Sequence, residues 1–287
     1  MNQALAAGQF YGAVVCRCRT GDAVLSDLRH GQCNRFPNHC HEHAYFALLL
    51  SGRYTEHLAG RSYPHRPMSL AFHPSWTEHR DEVEEPGTRF FSVEVEPSRL
   101  DRLREELRPA LDFKVFAGGP PVGLAVRLYR ELRHGEPDSD LRTEELLLEF
   151  LAASLCRPTP EERLAPAWLS RVDSLIRESF RDALGLDRLA AEAGVHPTYL
   201  IRTFRRFRGC TPGEYLQHLR ISRVCEGLAN PDLPLVDLAL EAGFADQSHC
   251  TRAFQRQLGI TPGAFRKTLA STEPGPPARP DRRPGRG

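Results

Sequence analysis

Residues 238–263 read LALEAGFADQSHCTRAFQRQLGITPG, and residues 189–213 read LAAEAGVHPTYLIRTFRRFRGCTPG. At an offset of 49, Leu189, Ala190, Glu192, Ala193 and Gly194 recur as Leu238, Ala239, Glu241, Ala242 and Gly243. One extra residue makes the offset 50, and Arg202, Phe204, Arg206, Gly209, Thr211, Pro212 and Gly213 recur as Arg252, Phe254, Arg256, Gly259, Thr261, Pro262 and Gly263. A repeat of this kind decides architecture before any single motif does. Each copy predicts a short helix, a turn and a second helix. Gly194 and Gly243 fall where a helix end needs left-handed backbone. Leu200 with Phe204, and Cys250 with Phe254, stand four apart on one helical face and are expected in a core.

The opposite faces carry Thr198, Ile201 and Arg202 in the first copy, and Gln247, Ser248, Thr251 and Arg252 in the second. Arg can grip guanine O6 and N7, and Gln adenine N6 and N7, so these seven residues are the candidate base readers. Arg205, Arg206, Arg208 and Arg256 suit phosphate, where charge matters more than identity. In one copy alone a solvated polar face would serve as explanation. Two copies joined by a helix over about 212–228 favour DNA reading.

Residues 238–262 closely resemble the signature of AraC/XylS-type transcriptional regulators. Ala239, Gly243, Phe244, Ser248, Arg252, Phe254, Arg256, Gly259, Thr261 and Pro262 carry the resemblance. Cys250 departs from it by taking the usual aromatic position. The resemblance covers 167–270. It implies two helix-turn-helix units in successive major grooves of one DNA face, with double-stranded DNA as partner and RNA polymerase as a further one. No cofactor is required for DNA binding.

The remaining sequence fits that frame. A length of 287 residues suits two domains, and 40% hydrophobic with 26% charged residues suits a soluble globular chain. No apolar run approaches the ~20 residues that span a bilayer, and no leader pattern opens the chain, so the cytoplasm is expected. The eight cysteines are then expected as free thiols. Residues 166–270 hold 14 Lys/Arg against 11 Asp/Glu, and residues 1–165 hold 20 against 24. That mildly basic C-terminal half is compatible with an anionic partner without deciding it.

Up to about residue 95, short apolar runs between turn signals predict a sandwich or barrel. Helices follow over about 96–157 and offer a surface to the sheet or to a second copy in a homodimer. The predicted organisation is a regulatory domain over 1–157, a linker over 158–166, an all-α double helix-turn-helix domain over 167–270 and a disordered tail over 271–287. The fold class is therefore α+β and multidomain.

Eight of the twelve histidines lie between 30 and 79. On one strand His39, His41 and His43 would share a face, and His79 could approach from a neighbour. Imidazoles suit Zn, Fe, Ni or Cu. The regulatory domains of the resembled family are often cupin-like barrels, and His39, His41, Tyr45 and Gly52 keep the cupin register, with His79 matching the later histidine. Tyr45 stands where that pattern has its Glu ligand, and Trp76 where it has Gly. His39, His41, His43, Tyr45 and His79 are thus the candidate effector pocket, with a metal or a small molecule as effector. Cys16, Cys18, Cys33 and Cys40 add a thiol-sensor reading beside that of inert buried thiols. A metal-dependent cupin enzyme fused to a DNA-binding module is the competing function, and an effector-free regulator the third.

Overall fold

The computed structural model describes residues 3–107, 111–134, 140–155 and 165–270. The predicted tail and residues 158–164 of the predicted linker lie outside the described residues. The strands are β1 (Gln3–Leu5), β2 (Ala13–Thr20), β3 (Ala23–His30), β4 (Asn34–Arg35), β5 (His39–His41), β6 (Ala44–Ser51), β7 (Tyr54–Leu58), β8 (Arg61–His65), β9 (Leu70–His73), β10 (Arg80–Val83), β11 (Thr88–Val95) and β12 (Lys114–Phe116). A six-stranded sheet runs β12-β9-β6-β11-β3-β2, a four-stranded sheet runs β4-β10-β7-β8, and β1 pairs with β5. A backbone bridge between His39 and His79 ties β5 to the approach of β10.

Burial follows the strand period. Phe46, Leu48 and Leu50 of β6 and Phe91, Val93 and Val95 of β11 enter the main core on one face of the large sheet. Tyr45, Ala47, Phe90 and Ser92 point the other way, into a cavity shared with Tyr54, Asp81 and Val83 of the four-stranded sheet. Both central strands are therefore covered on both sides, which explains their near-continuous apolar spelling. Ala59 and Gly60 turn β7 into β8 with φ of 50° and 76°. That paired left-handed geometry matches the twist of a two-residue hairpin.

The helices are α1 (Pro97–Leu107), α2 (Pro120–His134), α3 (Asp140–Leu155), α4 (Ala167–Glu178), α5 (Leu186–Ala193), α6 (Pro197–Arg208), α7 (Pro212–Leu228), α8 (Leu235–Glu241), α9 (Gln247–Leu258) and α10 (Pro262–Ala270). α2 and α3 cover the large sheet, with Phe150 stacked edge-on to Phe46 at 4.6 Å. β12 is a feature that the sequence reading placed among helices. It is three residues long and pairs with β9, more than forty residues earlier, so no local period announces it.

The apolar cores do not follow the repeat. One core joins α4, α5 and α6 with Tyr215 at the start of α7. The other runs from the sheet through α2 and α3 into Ile221, Val224 and Cys225 of α7, and on to Phe244, Cys250, Phe254 and Phe265. The first helix-turn-helix thus owns its core, whereas the second shares one with the barrel.

Polar contacts reinforce that junction. Arg89 of β11 grips Asp27 of β3 through Nε–Oδ1 at 2.8 Å and Nη2–Oδ2 at 2.6 Å. Its Nη1 donates to the carbonyls of Thr268 and Leu269 at 2.8 and 2.9 Å, at the end of α10. Tyr129 and Arg133, one turn apart on α2, reach the same Asp27 Oδ2 at 3.2 and 3.4 Å. Two buried arginines thus face one carboxylate, and the negative end of α10 lies against Arg89. Elsewhere the Ser222 hydroxyl donates to the Pro67 carbonyl at 2.5 Å, and the Gly119 N–H donates to His218 Nδ1 at 2.9 Å.

His218 gives the junction a pH dependence. Burial lowers its pKa from 6.5 to about 4, so it folds neutral with Nδ1 accepting. A depressed folded pKa contributes stability that is complete above the unfolded value and lost as pH falls from about 6.5 through 4. Urea unfolding between pH 7.5 and 4.5 is expected to show His218→Gln losing less stability on acidification than the wild type. The difference is at most ~1.4 kcal/mol per pH unit for one proton. Equal losses would mean that His218 does not charge against the fold.

Candidate functional site

The candidate reader helices, α6 and α9, are placed by their own ends. Pro197 opens α6, and His196 Nδ1 accepts from the Thr198 N–H at 3.3 Å. Asp246 caps α9 by accepting from the His249 N–H at 2.6 Å. The repeated Thr-Pro-Gly has the same logic. Thr211 caps α7 in a capping box with Glu214, and Thr261 Oγ1 accepts from the Ala264 N–H at 3.2 Å ahead of α10. Threonine supplies the cap and proline the first helical φ. Gly194 and Gly243 take φ of 67° and 87° at the turns, as their spacing predicts.

Leu200, Phe204, Cys250 and Phe254 are fully buried. Thr198, Arg202, Gln247, Ser248 and Arg252 are exposed on the opposite faces, while Ile201 and Thr251 are half-buried beside them. Arg202 lies over the Tyr199 ring at 5.7 Å. All four phosphate candidates are exposed. Arg208 Nη2 lies 3.4 Å from Asp173, and Arg205 Nη2 lies 3.9 Å from Glu214. Arg206 lies over the Phe207 ring. Arg205 and Arg256 line a cleft of ≈ 320 Å³ together with Gly119 and Gly123 of the α2 end, so they face the regulatory half.

The second arrangement lies inside the barrel. His39 from β5, with its neighbour His41, meets His79, with ring centroids 4.3 Å apart for His39–His79 and 5.6 Å for His41–His79. The Tyr45 hydroxyl lies 3.1 Å from His79 Nε2, and its ring stacks on His73 at 4.3 Å. His43 does not join them. The chain bends after His41, and His43 Nδ1 lies instead 2.9 Å from Glu94 Oε1.

Four further groups belong to the interior and were not singled out from the sequence. Glu56 of β7 lies between His73 of β9, at 3.3 Å, and His65 of β8, at 3.4 Å. Asp81 Oδ2 lies 3.5 Å from His39 Nε2 and 3.8 Å from His79 Nε2. Burial lowers His41 to about 3 and His65 to about 4, and holds His39 and His73 below the ordinary histidine range, so these imidazoles are neutral at pH 7. Burial also raises Glu56 to about 8 and lifts Asp81 above the usual carboxylate range.

The cavity here has a volume of ≈ 50 Å³. Trp76, 59% exposed, takes φ of 62° and donates its N–H to the His41 carbonyl at 2.8 Å. The pattern noted above has glycine at this position, and the backbone shows why. The seven described cysteines are thiols outside any disulfide. Cys16 and Cys40 are buried, Cys18 is half-buried and Cys33 is exposed.

Residues 28–151 match the family model described as "AraC-like ligand binding domain", and residues 189–268 match that described as "Helix-turn-helix domain". "Probable transcription factor PqrA" of Proteus vulgaris is 34% identical over 86 residues, covering 30% of this chain and 70% of that one. "HTH-type transcriptional regulator ExsA" of Pseudomonas aeruginosa is 28% identical over 180 residues, covering 59% of this chain and 62% of that one. The chain thus spans less than two thirds of ExsA. Among solved structures, ToxT from Vibrio cholerae aligns over 88% of this chain and 100% of its own, with 12% identity and a TM-score of 0.37. Both relatives are named as regulators of transcription. The chain belongs to the AraC family of DNA-binding transcriptional regulators.

Proposed function

We propose that α6 and α9 read successive major grooves of one DNA site in the cytoplasm, and that the barrel binds a small effector that changes how the readers are held. The supporting observation is the division of both helices. Thr198 and Arg202, and Gln247, Ser248 and Arg252, are exposed opposite a fully buried face, with the readers' first turns capped and open. Ile201 and Thr251 supply the shoulders of the same surfaces, and Arg205, Arg206, Arg208 and Arg256 are assigned to phosphate, Arg205 and Arg256 from the rim of the cleft that they share with Gly119 and Gly123. The effector acts only through unequal affinity for two arrangements of the readers. A cavity of ≈ 50 Å³ bordered by His39, His41, Tyr45 and Asp81 supports a small effector, since pockets for drug-sized ligands run to ~300 Å³ or more.

Leu141 and Leu148, exposed seven residues apart on α3, are the apolar surface this reading assigns to a second copy. RNA polymerase remains the further partner.

The test is site selection from a random DNA pool, followed by gel-shift titration at fixed salt. Arg252→Ala is expected to weaken the selected site by about 10- to 100-fold, the value of one bidentate Arg–guanine pair. Non-specific DNA should lose far less. Equal losses on both would move Arg252 from base reading to phosphate.

A further inference from the structure

We propose that the barrel interior binds one divalent transition-metal ion, with His79 as the central ligand, His39, His41 and His73 as further imidazole donors, and the carboxylates of Asp81 and Glu56 in place of the acidic ligand missing at Tyr45. The inference rests on the reading of the barrel as the effector compartment.

Two groups of buried donors converge. The ligand atoms of His39, His41 and His79 lie within 4.8 Å of one another, as do those of Glu56, His73 and His79. His79 belongs to both. The outer nitrogens are already committed. His39 Nδ1 lies 2.9 Å from the Pro37 carbonyl, and His79 Nδ1 lies 2.9 Å from the Thr77 carbonyl. A carbonyl only accepts, so each Nδ1 carries the proton; His39 Nε2 is left without a partner, and His79 Nε2 accepts from the Tyr45 hydroxyl at 3.1 Å, a contact that an ion would displace. Metal-bound histidines are oriented in this way by a second hydrogen bond to a carbonyl.

Several polar atoms of the interior are left over. His39 Nε2, both oxygens of Glu56, His65 Nε2, His73 Nδ1 and Asp81 Oδ1 are buried without a hydrogen-bond partner. Buried polar atoms are rarely left so, because each costs ~1–3 kcal/mol. Inward lone pairs and carboxylate oxygens are together satisfied by a cation. Imidazole with carboxylate selects Zn, Fe, Ni or Cu over the all-oxygen preference of Mg and Ca. His39, His41 and Asp81 also border a cavity of ≈ 50 Å³.

The test uses the full chain, stripped with EDTA and desalted, then titrated separately with Zn²⁺, Ni²⁺ and Co²⁺ and assayed by elemental analysis. One ion per chain is expected. The Co²⁺ form should show d–d absorption from nitrogen and oxygen ligands without a thiolate charge-transfer band. His79→Ala should weaken binding at least 100-fold, and Glu56→Gln and Asp81→Asn about 10-fold each. Should His79→Ala fail to fold by circular dichroism, His41→Gln and the wild-type Co²⁺ spectrum decide. No stoichiometric ion, an ion retained by the folded histidine variant, or a thiolate band would overturn the site. Arg252→Ala should keep the ion. A chain that takes up metal but selects no DNA sequence defeats only the regulatory reading. A chain that selects DNA but takes up no ion defeats only the metal site.

Discussion

Asp27→Ala is expected to lower the unfolding free energy by about 3–5 kcal/mol, the cost of removing one partner from a buried ion pair. Asp27 is fully buried and holds Arg89, Arg133 and Tyr129 at once. Without it, two buried guanidiniums lose their shared carboxylate, while the end of α10 still offers acceptors to Arg89. Against a typical total stability of ~5–15 kcal/mol this is a large share. Asp27→Asn keeps the shape but not the charge, and should be nearly as damaging. A mild effect of Asn beside a severe effect of Ala, in urea unfolding, would mean that shape rather than charge is what Asp27 contributes.

Gly243→Ala should cost several times what Gly194→Ala costs, although the two positions are equivalent in the repeat. Both have positive φ, which charges a side chain ~1–2 kcal/mol for left-handed backbone. A Cβ on Gly194 would meet open space. A Cβ on Gly243 would stand 2.5 Å from the Arg181 carbonyl oxygen and 2.8 Å from its Cα. These are backbone atoms that cannot rotate aside, so the loop after α4 must shift. Losses of about 1 kcal/mol at Gly194 and about 3 kcal/mol or more at Gly243 are expected from thermal or urea unfolding. Equal losses would show that the Arg181 loop yields freely.

The repeat and its caps were legible because they are local. Thr-Pro-Gly, the turn glycines and the i, i+4 pairs act within a few residues, and Leu200, Phe204, Cys250 and Phe254 are buried as their spacing predicts. His39 and His41 were legible for a similar reason, since strand alternation puts them together. His43 was read with them because alternation was carried past the bend at Glu42. Glu56, His65, His73 and Asp81 stand on four different strands. Their meeting depends on cross-strand register, such as Glu56 opposite both Tyr63 and Asp81, which no short window contains. Trp76 was visible as an odd residue, and only its φ of 62° says what is unusual about it.

The division of the apolar cores makes the two reading heads mechanically unequal. α9 is bolted to the sensor through a common interior, while α6 hangs from the leading turns of α7 on an interior of its own. A change inside the barrel therefore drags one head directly and the other only through the shaft between them. Under the function proposed above, such a change is expected to alter first the span and phase between the heads, and so the spacing of two DNA half-sites before the letters that either head reads.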